Sequence, residues 1–104
     1  MAEILWSLTA AKDLEEIENH IAEDSIAHAV HFVDRLIEST EKLADSPRIG
    51  RVVPEFQRQD LREILFRNYR VVCQLNEERA IILRVVHGAR ELNALMRDPP
   101  WTLG

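Results

Sequence analysis

The sequence predicts an α+β fold: an N-terminal strand, a helical hairpin, then a three- to four-stranded antiparallel sheet with a short C-terminal helix. Two observations carry this expectation. Tyr69 to Leu75 and Ala80 to Val86 are dense in valine, isoleucine and leucine, and the polar stretch Asn76 to Arg79 separates them. Apolar, β-branched runs split in this way read as an antiparallel hairpin. Ahead of them lie two consecutive stretches with helical periodicity, and helices clustered before a run of strands argue for α+β.

Each element has its own signal. Glu3 to Trp6 is a short strand candidate with Ile4 and Trp6 on one face. Ser7 and Thr9 are candidate helix caps. Ala10, Leu14, Ile17 and Ile21 then recur at spacings of one helical face, and Asp13, Glu15 and Glu16 near the start suit the helix dipole. Glu23, Asp24 and Ser25 break the pattern and cap a second helix. Its stripe is Ile26, Ala29, Val33, Leu36, Ile37, Thr40 and Leu43, and Pro47 ends it. Residues 48–60 form an irregular segment with Gly50 and Pro54 and positive charge from Arg48, Arg51 and Arg58. Leu61 to Phe66 is the first strand of the sheet proper, and Val52 and Val53 supply a fourth if they pair. Arg67 and Asn68 form its turn, since asparagine tolerates the left-handed region. Glu91 to Arg97, with Leu92, Leu95 and Met96 on one face, is the short terminal helix.

The periodicities predict a core of Leu14, Ile17, Val33, Leu36, Val71, Leu83 and Val85 between the helical hairpin and one sheet face. The last strand is apolar on both faces, with Ile81, Leu83 and Val85 on one and Ala80, Ile82 and Val86 on the other. A sheet with one wetted face should alternate instead. Its second face needs a cover, from the C-terminal segment or from a partner chain.

The length of 104 residues suggests one domain spanning 1–104. No apolar run approaches the ~20 residues of a membrane span, and the N-terminus lacks the basic and apolar regions of a secretory signal. A cytoplasmic protein with no membrane partner is expected. One cysteine, Cys73, allows neither an intrachain disulfide nor a paired-cysteine metal site, and within a strand it reads as a buried thiol. Charge is unevenly spread. Residues 1–46 hold three basic and eleven acidic side chains; residues 47–104 hold ten arginines, no lysine and seven acids. Arginine offers a rigid bidentate fork for carboxylates or phosphates. With a pI near 5.3 the whole chain is a poor binder of free nucleic acid, because phosphate neutralisation drives most such affinity.

Arg62-Glu63, Tyr69-Arg70-Val71-Val72 and Arg84-Val85-Val86-His87-Gly88-Ala89-Arg90 resemble the C-terminal half of RelE/ParE-type toxins of bacterial type II toxin–antitoxin pairs. Trp6-Ser7, Ala10, Asp13-Leu14 and Pro47-Arg48-Ile49-Gly50-Arg51 extend the resemblance, which covers roughly Ile4 to Met96. It implies a toxin neutralised by a cognate antitoxin. That superfamily holds both inhibitors of DNA gyrase and ribosome-dependent mRNA endonucleases on one fold, so gyrase and ribosome are both candidate targets. The gyrase-directed, ParE-like side is favoured.

Two chemistries follow from the residues. In the ribonuclease branch, Arg62, Arg70, His87 and Arg90 resemble the basic residues that promote attack of a ribose 2′-hydroxyl on the scissile phosphate. A histidine titrates in the useful range and arginines stabilise phosphate charge. Against that branch, Leu95 and Met96 stand where some ribonuclease members carry an essential tyrosine. In the protein-contact reading, Arg62, Arg70, Arg84 and Arg90 border an apolar surface completed by Leu92 and Met96, suited to an antitoxin tail with apolar and acidic side chains. His20, Asp24, His28 and His31 form no expected metal site, because Asp24 and Ser25 interrupt the helix between them. No cofactor is implied.

Overall fold

The structure, a computed structural model, describes residues 2–88. Strand β1 (Glu3–Trp6) leads into helices α1 (Leu8–Ala22) and α2 (Ile26–Glu41) and a short 3-10 turn (Lys42–Ala44). Strands β2 (Arg51–Val52), β3 (Leu61–Phe66), β4 (Tyr69–Leu75) and β5 (Arg79–His87) follow. The sheet is five-stranded in the order β1-β5-β4-β3-β2. β2, β3, β4 and β5 pair antiparallel, while β1 joins β5 in parallel, Glu3 opposite Arg79 and Trp6 opposite Ile82. The α+β order read from the sequence therefore holds, with the N-terminal strand built into the same sheet. The short C-terminal helix expected at Glu91 to Arg97 lies outside the described residues.

Both helices begin at serine caps. The Ala10 amide donates to Ser7 Oγ at 3.0 Å and the His28 amide to Ser25 Oγ at 3.1 Å, each satisfying an amide that the first helical turn leaves free. The first turn of α1 holds no acidic residue, so Asp13 is not placed for the dipole. It faces β5 instead.

The helices cover one sheet face. Ala10, Ile17, Phe32, Leu36 and Leu43 pack there on Val71, Cys73, Ala80, Ile82 and Val85. Leu14 packs at the margin and Val33 is half-buried, while Phe32 takes the central place that the sequence pattern assigned to Val33. A second cluster, Val53, Leu61, Val72, Ile81, Leu83 and Val86, fills the opposite face with Leu5 and Phe56. Leu83 thus belongs to the face away from the helices. The reason is a bulge. Val72 pairs with Arg84 and Cys73 with Ile82, which leaves Leu83 without an opposite number. One extra residue flips the parity of everything after it. Ile82 and Val85 end on one face, Ile81, Leu83 and Val86 on the other. Val53 and Phe56, from the segment after β2, supply part of the cover the second face required.

The bulge is held from the helical side. Ser7 Oγ donates to the Leu83 carbonyl at 3.0 Å. Asp13 Oδ2 accepts from the Val85 amide at 2.9 Å, and the same carboxylate takes both Arg84 Nε at 2.9 Å and Arg84 Nη2 at 3.0 Å. Irregular backbone that would lose its ladder partners inside the protein is satisfied by α1.

Leu36 is fully buried. Leu36→Ala should lower the unfolding free energy by about 2–5 kcal/mol in a urea titration; less than about 1 kcal/mol would remove Leu36 from the core. Burial also pushes the Cys73 thiol up to about 12. Native protein at pH 8 should therefore react with a thiol reagent only through unfolding, at a rate tracking stability across urea concentrations. The neutral thiol is favoured by the folded state, so its contribution is complete below the ordinary value of 9.0 and is lost as pH rises toward the folded value. Fast labelling of the native chain would place Cys73 at the surface.

Candidate functional site

The arginines of the sheet do not form one surface. Alternation along β3 turns Glu63 to the same face as Leu61, and alternation along β4 turns Arg70 to the face of Val72, both away from the helices. There the two meet. Arg70 Nε donates to Glu63 Oε1 at 2.7 Å. Its two terminal nitrogens grip Glu55 as a fork, Nη1 to Oε2 and Nη2 to Oε1, both at 2.7 Å. Glu63 is 1% exposed, and Arg51 binds its second oxygen. Two arginines and two carboxylates are thereby interleaved at the sheet surface. The Glu55 carboxylate, opposed by burial and joined by Glu63, raises the Arg70 pKa above its ordinary value. Charges this far out of water persist only when paired and hydrogen-bonded.

Arg84 lies on the helical side, forked onto Asp13. Arg62 points to the 48–60 segment: Nε donates to the Gln59 carbonyl, Nη2 to Gln59 Oε1 and Nη1 to the Gly50 carbonyl, at 2.9, 2.9 and 3.1 Å. Gly50 must be glycine here, because a Cβ would stand 2.7 Å from the Glu63 carbonyl. So Arg62, Arg70 and Arg84 go to three different places, each with acceptors inside the chain. Just ahead of β3, Asp60 takes a fork from Arg58; burial works to raise its pKa, but hydrogen bonds from Arg58 and Gln74 outweigh it and hold the carboxyl below the usual value.

Arg70 and His87 do share a cleft, of about 460 Å³, with Arg51, Glu55, Arg67 and Tyr69 on its walls. The His87 ring meets the Tyr69 ring edge-on, centroids 5.7 Å apart. Arg90, Leu92 and Met96, also expected at the site, lie outside the described residues. Among the described residues no cluster of histidine, cysteine, aspartate or glutamate could hold a metal ion.

Four site residues were not singled out from the sequence: Glu55, Glu63, Arg67 and Tyr69. Glu63 left a signal, an acid on the same strand parity as Leu61 and Leu65. Arg67 left none. It is the left-handed residue of the β3–β4 turn, at φ 53°, where asparagine or glycine would be at ease. Its guanidinium lies 5.5 Å from the Phe32 ring centroid and 5.4 Å from that of Phe66. Arg67 also borders a larger groove of about 960 Å³ between α2 and the outer edge of β3, with His31, Arg35 and Lys42 on the helical wall.

The chain matches a family model described as ParE toxin of type II toxin–antitoxin system, parDE, over residues 4–92. No curated protein matches it significantly. A solved structure of the chromosomal ParDE toxin–antitoxin system from P. aeruginosa aligns over 84% of this chain and 96% of its own, at 22% identity and a TM-score of 0.70. The toxin–antitoxin complex RelBE2 from Mycobacterium tuberculosis aligns over 83% and 96%, at 21% identity and a TM-score of 0.53. At these identities the likeness speaks for the fold. No helix among the described residues is long and apolar enough to cross a membrane.

Removing Glu63 leaves Arg70 buried with one of its two carboxylate partners gone. Glu63→Ala should cost about 3–5 kcal/mol of unfolding free energy, the usual penalty for orphaning a buried charge. A loss under about 1 kcal/mol would mean that Arg70 relaxes into water and that the network is not structural.

Proposed function

Because the chain belongs to the ParE toxin family of type II toxin–antitoxin systems, we propose that it inhibits DNA gyrase by protein–protein contact and is held inactive by a cognate antitoxin. The observation that carries the choice of contact over catalysis is the state of Arg70. A ribonuclease reading asks Arg70 to meet the charge developing on a scissile phosphate. Here its three donor nitrogens are taken by Glu63 and Glu55. A phosphate entering the cleft would face those two carboxylates as well as the arginine, and preorganised positive charge is what phosphoryl chemistry needs. Arg62, the second basic residue of that reading, is turned onto the carbonyls of Gly50 and Gln59.

The same pairing bears on antitoxin recognition. A partner carboxylate gains from Arg70 or Arg84 only by displacing Glu55, Glu63 or Asp13, which strands a charge. The antitoxin is therefore expected to address cations that the toxin leaves uncompensated, on the groove beside α2 rather than on the sheet.

Two assays separate the readings. Purified toxin, freed of antitoxin, should inhibit gyrase-catalysed supercoiling of plasmid DNA and leave mRNA on translating ribosomes uncut. Reproducible cleavage in the ribosomal A site, abolished by His87→Ala or Arg90→Ala, would overturn the gyrase reading in favour of a RelE-like endonuclease using Arg70, His87 and Arg90.

A further inference from the structure

The two edges of the sheet are guarded differently. On one side β2 is two residues long and runs toward Pro54, which cannot donate to a ladder. On the other stands β1, Glu3–Trp6, with no proline, lysine or bulge. Its pairing with β5 uses alternate residues. The Glu3 amide donates to the Glu78 carbonyl at 2.8 Å and the Ser7 amide to the Ile82 carbonyl at 2.9 Å. Alternation turns the amides and carbonyls of Ile4 and Trp6 the other way, out of the edge. Among the described residues no strand pairs with that side of β1.

A strand open in this way is a template for another, and β1 is complementary to itself. Set two copies antiparallel about a two-fold axis at Leu5, and Ile4 falls opposite Trp6 of the second copy. These are the residues with open backbone, so each such pair exchanges both of its hydrogen bonds. Leu5, whose backbone is turned to β5, falls in the non-bonded position opposite itself. Isoleucine against tryptophan is a favourable cross-strand pair, and Ile4, Leu5 and Trp6 are each only half-buried in one copy. Charge agrees. Glu3, the one charged residue of the strand, falls opposite Ser7, the cap of α1, and not opposite a second Glu3. The first turn of α1 holds no acid of its own, so the carboxylate of one copy meets the positive end of a helix in the other. The axis stands perpendicular to the sheet, which puts both helical layers on one face. α1 lies over β5, held there by Asp13. The two β5 strands stand three strand spacings apart, about 14 Å, beyond the roughly 8–10 Å of packed helices, so the layers do not collide.

We propose that a second copy of this chain docks on the free edge of β1, joining two five-stranded sheets into one across a two-fold axis at Leu5. With a four-residue strand on each side, the contact is smaller than the roughly 1,200–2,000 Å² of a standard stable interface. The dimer therefore exchanges readily with monomer, and its population follows concentration. The inference uses neither the gyrase reading nor the antitoxin one, and the edge it concerns is the one opposite β2.

The test uses the full chain, freed of antitoxin. Hydrogen exchange read residue by residue should show the Ile4 and Trp6 amides fast in dilute protein and slowed about tenfold or more in concentrated protein, as sedimentation shows a dimer; the Leu5 amide, turned to β5, should be protected at both concentrations. Leu5→Cys should oxidise to a disulfide-linked dimer at least roughly tenfold faster than Glu3→Cys. At the axis the two Cα atoms stand about 4.5 Å apart, within disulfide reach, whereas residue 3 faces residue 7. Cys73 is buried and does not compete. Ile4→Pro removes an amide that the monomer does not use, so it should fold with a urea midpoint near that of the parent and stay monomeric at the concentration where the parent dimerises. A chain monomeric at every concentration overturns the proposal. Protection of Ile4 and Trp6 that is the same at all concentrations does so too, and assigns the edge to residues 89–104 of the same chain. So does a dimer in which both amides stay fast, or in which the two cysteine variants cross-link equally.

Discussion

One extra residue in β5 sets the terms for the rest of the molecule. β5 lies between β1 and β4, and both sheet faces must be apolar along it. The bulge at Leu83 changes which face each later residue serves, and it leaves backbone groups that the ladder does not satisfy. Ser7 and Asp13, at the start and in the second turn of α1, satisfy them. The helical layer is thus fixed to the sheet by polar bonds at one place and by apolar packing elsewhere. Asp13 holds Arg84 at the same time, so the irregularity, the ion pair and the seating of α1 are one arrangement.

The fold was legible because its signals are local and repeated. Serine caps, a proline stop and two apolar runs each point to the element that forms. The site was less legible because its geometry is set by register. Counting by twos along β5 assigns Leu83 to the face of Val85, and only the pairing with β4 reveals that the count breaks between them. In α2, Phe32 and Val33 are neighbours with nearly equal claim to the core; the aromatic ring wins by meeting Phe66 and Tyr69 edge-on at 5.3 and 5.7 Å. Arg67 in a left-handed turn is invisible to propensity, since propensity would place Asn68 there.

The arginine-rich half of the chain suggests a continuous basic surface, and pairing dissolves it. Arg70 and Arg51 meet Glu63, Arg84 meets Asp13, Arg58 meets Asp60 and Arg79 approaches Glu3. Arginine is used here chiefly as a structural fork, joining segments far apart in sequence where backbone bonds cannot reach. The segment between β2 and β3 shows the benefit: it carries Val53 and Phe56 over the second core, and Arg51, Glu55 and the acceptors of Arg62 fasten it down. Net charge then becomes a poor guide to the surface a partner meets, which depends on the few cations left over.

The parallel pairing of β1 with β5 has a consequence for the order of events at the ribosome. β1 is made before the helices and the rest of the sheet, yet its strand partner among the described residues spans Arg79–His87. The acceptors and donors of Ser7 and Asp13 on Leu83 and Val85 are equally remote in sequence. A growing chain can form the helical hairpin early, but that hairpin has no finished sheet to rest on until β5 has emerged. Contacts of such long separation raise the entropic barrier to folding and delay it. A translation product ending before β5 therefore lacks the strand that joins β1 and α1 to β4, and an interrupted round of synthesis leaves the helical hairpin without its central support.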